Sequence, residues 1–295
     1  MTTALRRPIG RRGLLRFGLG LGSIALVGGR KVSAFQAPDR MEAGVLVDLT
    51  RCIGCRACEN ACRVRQGRSG LPLAGLGYGP GEGRLSFTSL TFVDQRVVER
   101  HGQADIRAPV KRQCMHCVDP ACVSACPVAA LRKTPRGSVV YEASRCLGCR
   151  YCMIACPFNV PRYQWDSGLT PKVGKCDFCD DRIASGLSPA CVSACPTGAL
   201  KFAKRWEVLR EAKARVGSHP ERYHSIYGEH TVGGTSWIYL ADVPMEELGF
   251  RTDLPDQSLA ALTWRALSKV PFVVIGVGVF LGSMLRLRQR EGRHA

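Results

Sequence analysis

Sixteen cysteines crowd into the stretch from Cys52 to Cys195 of a 295-residue chain, and they fall into four combs with related spacing. Cys52, Cys55, Cys58 and Cys62 run C-x2-C-x2-C-x3-C, and Cys146, Cys149, Cys152 and Cys156 repeat that spacing. Cys114, Cys117, Cys122 and Cys126 widen the middle gap to four residues, and Cys176, Cys179, Cys191 and Cys195 widen it to eleven. Few folds accommodate this pattern. A C-x2-C step makes a tight turn that aims two thiolates at one point, while a cysteine three residues past the third sits on the next turn and can serve a different site.

The combs belong to an internal duplication. Cys122 to Leu131 and Cys191 to Leu200 agree at eight of ten positions, and Arg51 to Cys62 and Arg145 to Cys156 agree at eight of twelve. The first comb therefore resembles the third, and the second resembles the fourth. Pro127, Pro157 and Pro196 each follow a comb's last cysteine, the C-x3-C-P ending of bacterial ferredoxin motifs, with Arg63 the exception. The expected cofactors are four [4Fe–4S] clusters on two tandem ferredoxin-like units. Zinc ribbons and fingers use paired C-x2-C arms set well apart, and four cysteines within eleven residues suit a cube better than one tetrahedral ion. Disulfides fit poorly, because C-x2-C-x2-C turns are weak scaffolds for crosslinks between distant segments. A thioredoxin-like motif would occur once, near a βαβ pattern.

The formal charge of +18 raises nucleic acid or an anionic surface as a partner. Residues 1 to 34 hold seven of the basic residues and no acid. Four oxidised clusters with their thiolates contribute roughly −8, so the loaded body is near +3. No aromatic-interleaved basic patch accompanies the charge, and nucleic acid is not expected as a partner.

Both ends read as membrane addresses. Arg11-Arg12-Gly13-Leu14-Leu15-Arg16 is similar to a twin-arginine export motif, followed by an uncharged run from Phe17 to Gly29 and a small-residue stretch at Val32-Ser33-Ala34. Clusters built before export would also protect sixteen thiols from random oxidation outside. From Val270 to Leu285 the chain is uncharged, and extension back to Trp264 gives a span with an interfacial aromatic anchor. Arg286, Arg288, Arg290 and Arg293 follow it against Arg265 and Lys269 before it, which places the C-terminus in the cytoplasm and the cysteine-rich body on the periplasmic face of the inner membrane. The expected organisation is a signal segment at 1–34, a four-cluster domain at 35–245, a linker at 246–263, a transmembrane helix at 264–286 and a basic tail at 287–295. The fold class is α+β, a tandem double ferredoxin-like domain with one C-terminal transmembrane helix.

Specific blocks carry a family resemblance. Val110 to Pro120, Gly148 to Met153, Ala155 to Pro161, and Tyr227 to His230 with Gly233-Gly234-Thr235 resemble the iron–sulfur electron-transfer subunits of exported, membrane-bound oxidoreductases. That family includes the beta subunits of formate dehydrogenase and of the dimethyl-sulfoxide-reductase group, and its hydrogenase 2 branch is the nearest likeness. The resemblance covers nearly the whole chain, departing mainly in the Gly-rich loop from Gly67 to Gly83. It implies that comb one pairs with comb four and comb two with comb three, each lending its last cysteine to the other's cluster. The implied sites are Cys52, Cys55, Cys58 with Cys195; Cys176, Cys179, Cys191 with Cys62; Cys114, Cys117, Cys122 with Cys156; and Cys146, Cys149, Cys152 with Cys126. Some relatives carry tryptophan at the position of Cys149 and hold a three-iron cluster there; cysteine here implies a fourth cube. The implied partners are catalytic oxidoreductase subunits, in the first place hydrogenase small and large subunits, and a multispanning quinone-reactive membrane subunit. The equivalent subunit of a formate dehydrogenase is the alternative, and a structural zinc-binding or assembly protein a distant one.

Several further residues carry expectations. His116, between two comb cysteines, reads as an exposed surface imidazole, with a hydrogen bond to a cluster sulfur as the alternative. Arg205 to Val216 reads as a helix burying Trp206, Leu209 and Val216. Leu85 to Val93 and Trp237 to Leu240 read as strands, and Gly233-Gly234 as a turn. No nucleophile with a paired base and no phosphate loop stands out, so substrate chemistry is assigned to a partner and this chain to electron transfer.

Overall fold

A computed structural model describes residues 42–67, 84–100, 102–168 and 172–291. The expected signal segment, most of the Gly-rich loop and the last four residues lie outside the described residues.

The first strand, β1 (Ala43–Asp48), is fully buried and ends in a single 3₁₀ turn, Leu49–Arg51, that delivers the chain to Cys52. Asp48 sets that exit: its carboxylate accepts from the Thr50 N–H, the Thr50 hydroxyl, Arg215 and Tyr223. The first comb then runs into α1 (Ala57–Arg65). A hairpin follows, β2 (Phe92–Arg100) against β3 (Gln103–Arg112), and leads into the second comb with α2 (Ala121–Ser124). Strands β4 (Leu131–Lys133) and β5 (Val139–Tyr141) form a small antiparallel ladder between the second comb and the third, which carries α3 (Tyr151–Ala155). A two-residue ladder joins β6 (Arg162–Tyr163) to β7 (Val173–Gly174), and the fourth comb carries α4 (Asp180–Ala184) and α5 (Ala190–Ser193). Beyond it come β8 (Leu200–Lys204), α6 (Arg205–Ser218), β9 (Ser225–Tyr227) and β10 (Trp237–Ala241).

The order β8-β1-β10-β9 makes one four-stranded sheet. β1 lies antiparallel to β8 and parallel to β10, with Val45 opposite Trp237. This pairing nests one unit in another. β1 enters the first comb and β8 leaves the fourth; β4 leaves the second comb and β5 enters the third. Each antiparallel pair brackets two combs, the arrangement of a tandem ferredoxin-like fold. The core grows around the cysteines, since Cys58 and Cys191 pack with Val45, Val47, Val110, Phe178 and Trp237, while Cys122 and Cys152 pack with Leu131 and Val139.

The strand Trp237–Leu240 and the Gly233-Gly234 turn form where their sequences place them, the latter at φ +83° and +95°. Two expectations need correction. The segment from Leu85 to Thr91 is not a strand: the Ser86 hydroxyl accepts from the Thr88 and Ser89 N–H groups, and this local turn delays the strand until Phe92. In α6 the buried face centres on Val208 and Ala212, one turn apart against the sheet, with Leu209 and Val216 beside them. Trp206 lies on the outer surface, stacked under Arg210 at 4.7 Å.

Residues 242–258 return across the body, burying Met245, Leu248 and Phe250. Ser258 caps α7 (Leu259–Leu267), which runs through a brief turn into α8 (Val270–Glu291). Leu259–Arg286 forms a 28-residue apolar stretch, about 42 Å long, none of it buried against the body. A helix exposed on every side with fourteen large apolar side chains from Leu262 to Leu285 is not a core helix; it is a single-pass membrane anchor.

Candidate functional site

The local backbone repeats as the cysteines do. The residue just before the second cysteine of each comb, Gly54, His116, Gly148 or Phe178, has positive φ, between +47° and +72°. Glycine takes this conformation freely at Gly54 and Gly148, whereas His116 and Phe178 must be held there by their surroundings. They hold each other: their rings stack at 4.6 Å, and Phe178 packs on Trp237. The left-handed turn points amide hydrogens at sulfur. Gly148 N–H donates to Cys146 Sγ and Phe178 N–H to Cys176 Sγ, each at 3.4 Å, and Ala130 N–H donates to Cys126 Sγ at 3.2 Å.

Tertiary packing gathers the cysteines into four groups. Cys52, Cys55, Cys58 and Cys195 line one cavity. Cys62, Cys176, Cys179 and Cys191 line a second. Cys117 and Cys122 both have Cys114 and Cys156 as charged neighbours, which brings these four together as a third group. Cys126, Cys146, Cys149 and Cys152 line another cavity. Each group takes three cysteines from one comb and the last cysteine of another. Among the described residues no set of three or more His, Cys, Asp or Glu converges tightly enough to hold a single metal ion. Thiols standing round a cavity, with amide donors on their sulfurs, fit a multi-iron cluster and not a lone tetrahedral ion.

Burial pushes the thiols of Cys58, Cys62 and Cys122 up to about 12, and those of Cys152 and Cys156 up to about 11. Cys195 goes the other way: burial raises it, but the Thr197 hydroxyl and the N–H groups of Leu200, Ala199 and Thr197 outweigh that and leave it below the ordinary value. Buried sulfurs of this kind become thiolates only against strong positive charge, which cluster iron supplies.

His116 corrects an expectation. It is fully buried, not exposed, because Val139 of β5 and the ring of Phe178 close on it. The Val139 N–H donates to its Nδ1 at 2.9 Å, so the ring proton sits on Nε2. Burial, then Lys175 and Lys133, hold it well below the ordinary imidazole value, and it is neutral. Two buried lysines also went unread in the sequence. Lys111 and Lys175 are 2% and 6% exposed and stand beside the cysteine groups. Each lies three residues or fewer before a comb, which is the only sequence signal they offered.

The fold and these sites define an iron–sulfur electron carrier. Two family profiles, each described as "4Fe-4S dicluster domain", match residues 44–127 and 108–205. A protein of Nitratidesulfovibrio vulgaris Hildenborough is 43% identical over 78% of this chain, which spans 62% of that relative's length. The hydrogenase-2 operon protein HybA of Escherichia coli O157:H7 is 36% identical over 72% of both chains. The iron–sulfur subunit of the nitrate-inducible formate dehydrogenase of Escherichia coli K12 is 34% identical over 82% of this chain and 83% of its own. The chain belongs to the family of dicluster iron–sulfur proteins that includes HybA and the iron–sulfur subunits of formate dehydrogenases. Its role is electron transfer rather than catalysis.

Proposed function

We propose that the sixteen cysteines hold four [4Fe–4S] clusters in a row and that the row carries electrons between a periplasmic catalytic subunit and a quinone-reactive membrane subunit. The observation that carries this is the adjacency of the four groups. Lys111 lines both the first cavity, around Cys52, and the second, around Cys62. Cys176 of the second group is acted on by Cys114 of the third, and Cys122 of the third by Cys152 of the fourth. The terminal groups alone carry exposed cysteines, Cys55 at one end and Cys149 at the other, so electrons enter and leave there. Ser258, the cap of the membrane helix, donates to Asp119 beside the third group, next to the Cys149 group, and this supports a membrane exit at the Cys149 end.

The clusters supply the redox chemistry; the chain's own part is to hold them at fixed spacing, exclude water from the inner two and set the charge around each. A NiFe hydrogenase is the preferred donor, on the likeness to HybA. A formate dehydrogenase is the second reading, favoured by relatives that align over more of this chain. Export by the twin-arginine route, on Arg11-Arg12, places the body in the periplasm. Anaerobic analysis of the purified native complex should find about sixteen irons and as many acid-labile sulfides in this chain, and nickel in its catalytic partner. Iron near half that value in fully loaded protein overturns the four-cluster reading, and molybdenum or tungsten without nickel overturns the hydrogenase.

A further inference from the structure

Lys111 is an ammonium buried in the middle of the protein without a carboxylate hydrogen-bonded to it. It is the last residue but one of β3, and its Nζ donates to the Thr91 hydroxyl at 2.6 Å and to Gln113 Oε1 at 2.9 Å. Both acceptors are neutral, and both are themselves held. The Thr91 hydroxyl donates to the Arg112 carbonyl, and the Gln113 amide donates to the Tyr239 hydroxyl, which donates back to the Lys111 carbonyl. The indole of Trp237 stands 4.9 Å from Nζ on a further side. Glu59 is the buried acid nearby, but its carboxylate accepts from the Val93 N–H and answers to Arg56 and Arg63 before Lys111. A charge buried on neutral partners alone is costly, and a hydrogen-bonding strut between β3 and β10 would not need one. Lys111 also lines the cavities of both the first and the second cysteine group, so the site is built to present one cation to two places.

Lys175 repeats the arrangement one step along. It is buried, its Nζ donates to the carbonyls of Val139 and Cys176, and its charge acts most on Cys114, Cys122 and Cys176, which belong to the third and second groups. The acid beside it, Asp177, is taken by Arg65 at 2.9 Å.

We propose that Lys111 is a fixed positive charge shared by the first and second clusters, raising the reduction potential of both, and that Lys175 does the same for the second and third. Reduction adds one electron to a cluster, and a nearby cation stabilises the more negative form more strongly than the oxidised one. A charge placed between neighbours lifts both potentials together, so the step between them stays small while the pair moves as a unit. The second cluster, flanked by both lysines, gains most. These are positioning residues for charge: neither needs to touch iron. The inference rests on the four-cluster reading above.

The test is an anaerobic redox titration of the full chain, followed by electron paramagnetic resonance, for Lys111→Met, Lys111→Gln, Lys111→Arg and Lys175→Met. Cys55→Ser and Cys179→Ser variants assign the signals of the first and second clusters. Both neutral Lys111 variants should lower the reduced-to-oxidised ratio of the first and second clusters at least tenfold at a given ambient potential, about 59 mV for a one-electron couple, and leave the fourth unmoved. Lys175→Met should shift the second and third instead, and Lys111→Arg should restore the wild-type values. If a neutral variant loses the iron of the two sites while Lys111→Arg retains it, the charge is again what the pair requires. Loss in the arginine variant too, a shift in one cluster only, or fully loaded neutral variants with unchanged potentials each overturn the proposal. Wild-type protein lacking four clusters would overturn the underlying reading instead, and is seen before any variant is made.

Discussion

Placing arginine at both Ile275 and Val279 should release the protein from the membrane. The run from Val270 to Leu285 holds ten Val, Ile, Leu or Phe residues and no charge, and its side chains have no contact with the body that could shelter them. At about −0.3 to −0.6 kcal/mol each near the centre of a span, those ten favour insertion by about 3–6 kcal/mol. One arginine at mid-span costs about 2.5–3.5 kcal/mol, and two cost about 5–7 kcal/mol. A single Ile275→Arg substitution should therefore weaken insertion without abolishing it, while the pair, one helical turn apart on the same face, should cancel it. The body, whose core does not include α8, should keep its clusters. The assay is the fraction of chain left in membranes after an alkaline wash, with dye-linked and quinone-linked electron transfer measured in parallel. Dye reduction should survive and quinone reduction should fall with the released fraction. A doubly substituted chain that stays in washed membranes at the wild-type level and still reduces quinone would show that the helix is not what holds the protein there.

Three further outcomes follow from the sites. Cys149→Trp should convert one cube to a three-iron cluster and add its signal to the oxidised electron paramagnetic resonance spectrum; Cys149 is exposed, so the indole can turn to solvent, and unchanged iron content without a new signal would remove Cys149 from the ligand set. Asp180, held below the usual carboxylate range because Arg136, Ser138 and Thr134 outweigh its partial burial, ties the fourth comb to the β4–β5 turn. Its contribution is present above the unfolded carboxylate value of 3.8 and is lost as the pH falls through its lower folded value. Asp180→Asn should thus cost about 1 kcal/mol at pH 7, discounted for the half-exposed Arg136, and the melting-temperature gap to wild type should close toward pH 3; a gap independent of pH would rule the ion pair out as its cause. Lysine at both Arg11 and Arg12 should leave cluster-loaded protein in the cytoplasm, and protease accessibility from the periplasmic side would contradict that.

What the sequence by itself determined was local: the comb spacing that suits iron–sulfur clusters, and which run enters the membrane. Those properties depend on spacing within ten or twenty residues. A C-x2-C turn forces a left-handed residue wherever it occurs, and sixteen uncharged residues seek lipid in any fold. The duplication even showed which combs were alike, though similarity in sequence is not adjacency in space, and the cross-pairing came from family resemblance. Tertiary structure decided the rest because it depends on strands far apart in the chain. β1 finds β8 and β10 more than 150 residues away, and that pairing brings Cys195 to the first comb's site. Leu85 to Thr91 had the composition of a strand, but a serine-centred turn was the cheaper way to satisfy its backbone. Trp206 looked like core until the sheet chose the face carrying Val208 and Ala212. His116 read as a surface residue because polar side chains usually are, and nothing in the sequence marked Lys111 as buried. Only the packing of the strands around the cysteine groups buries them, and burial turns an ordinary lysine into a charge that two of those groups can share.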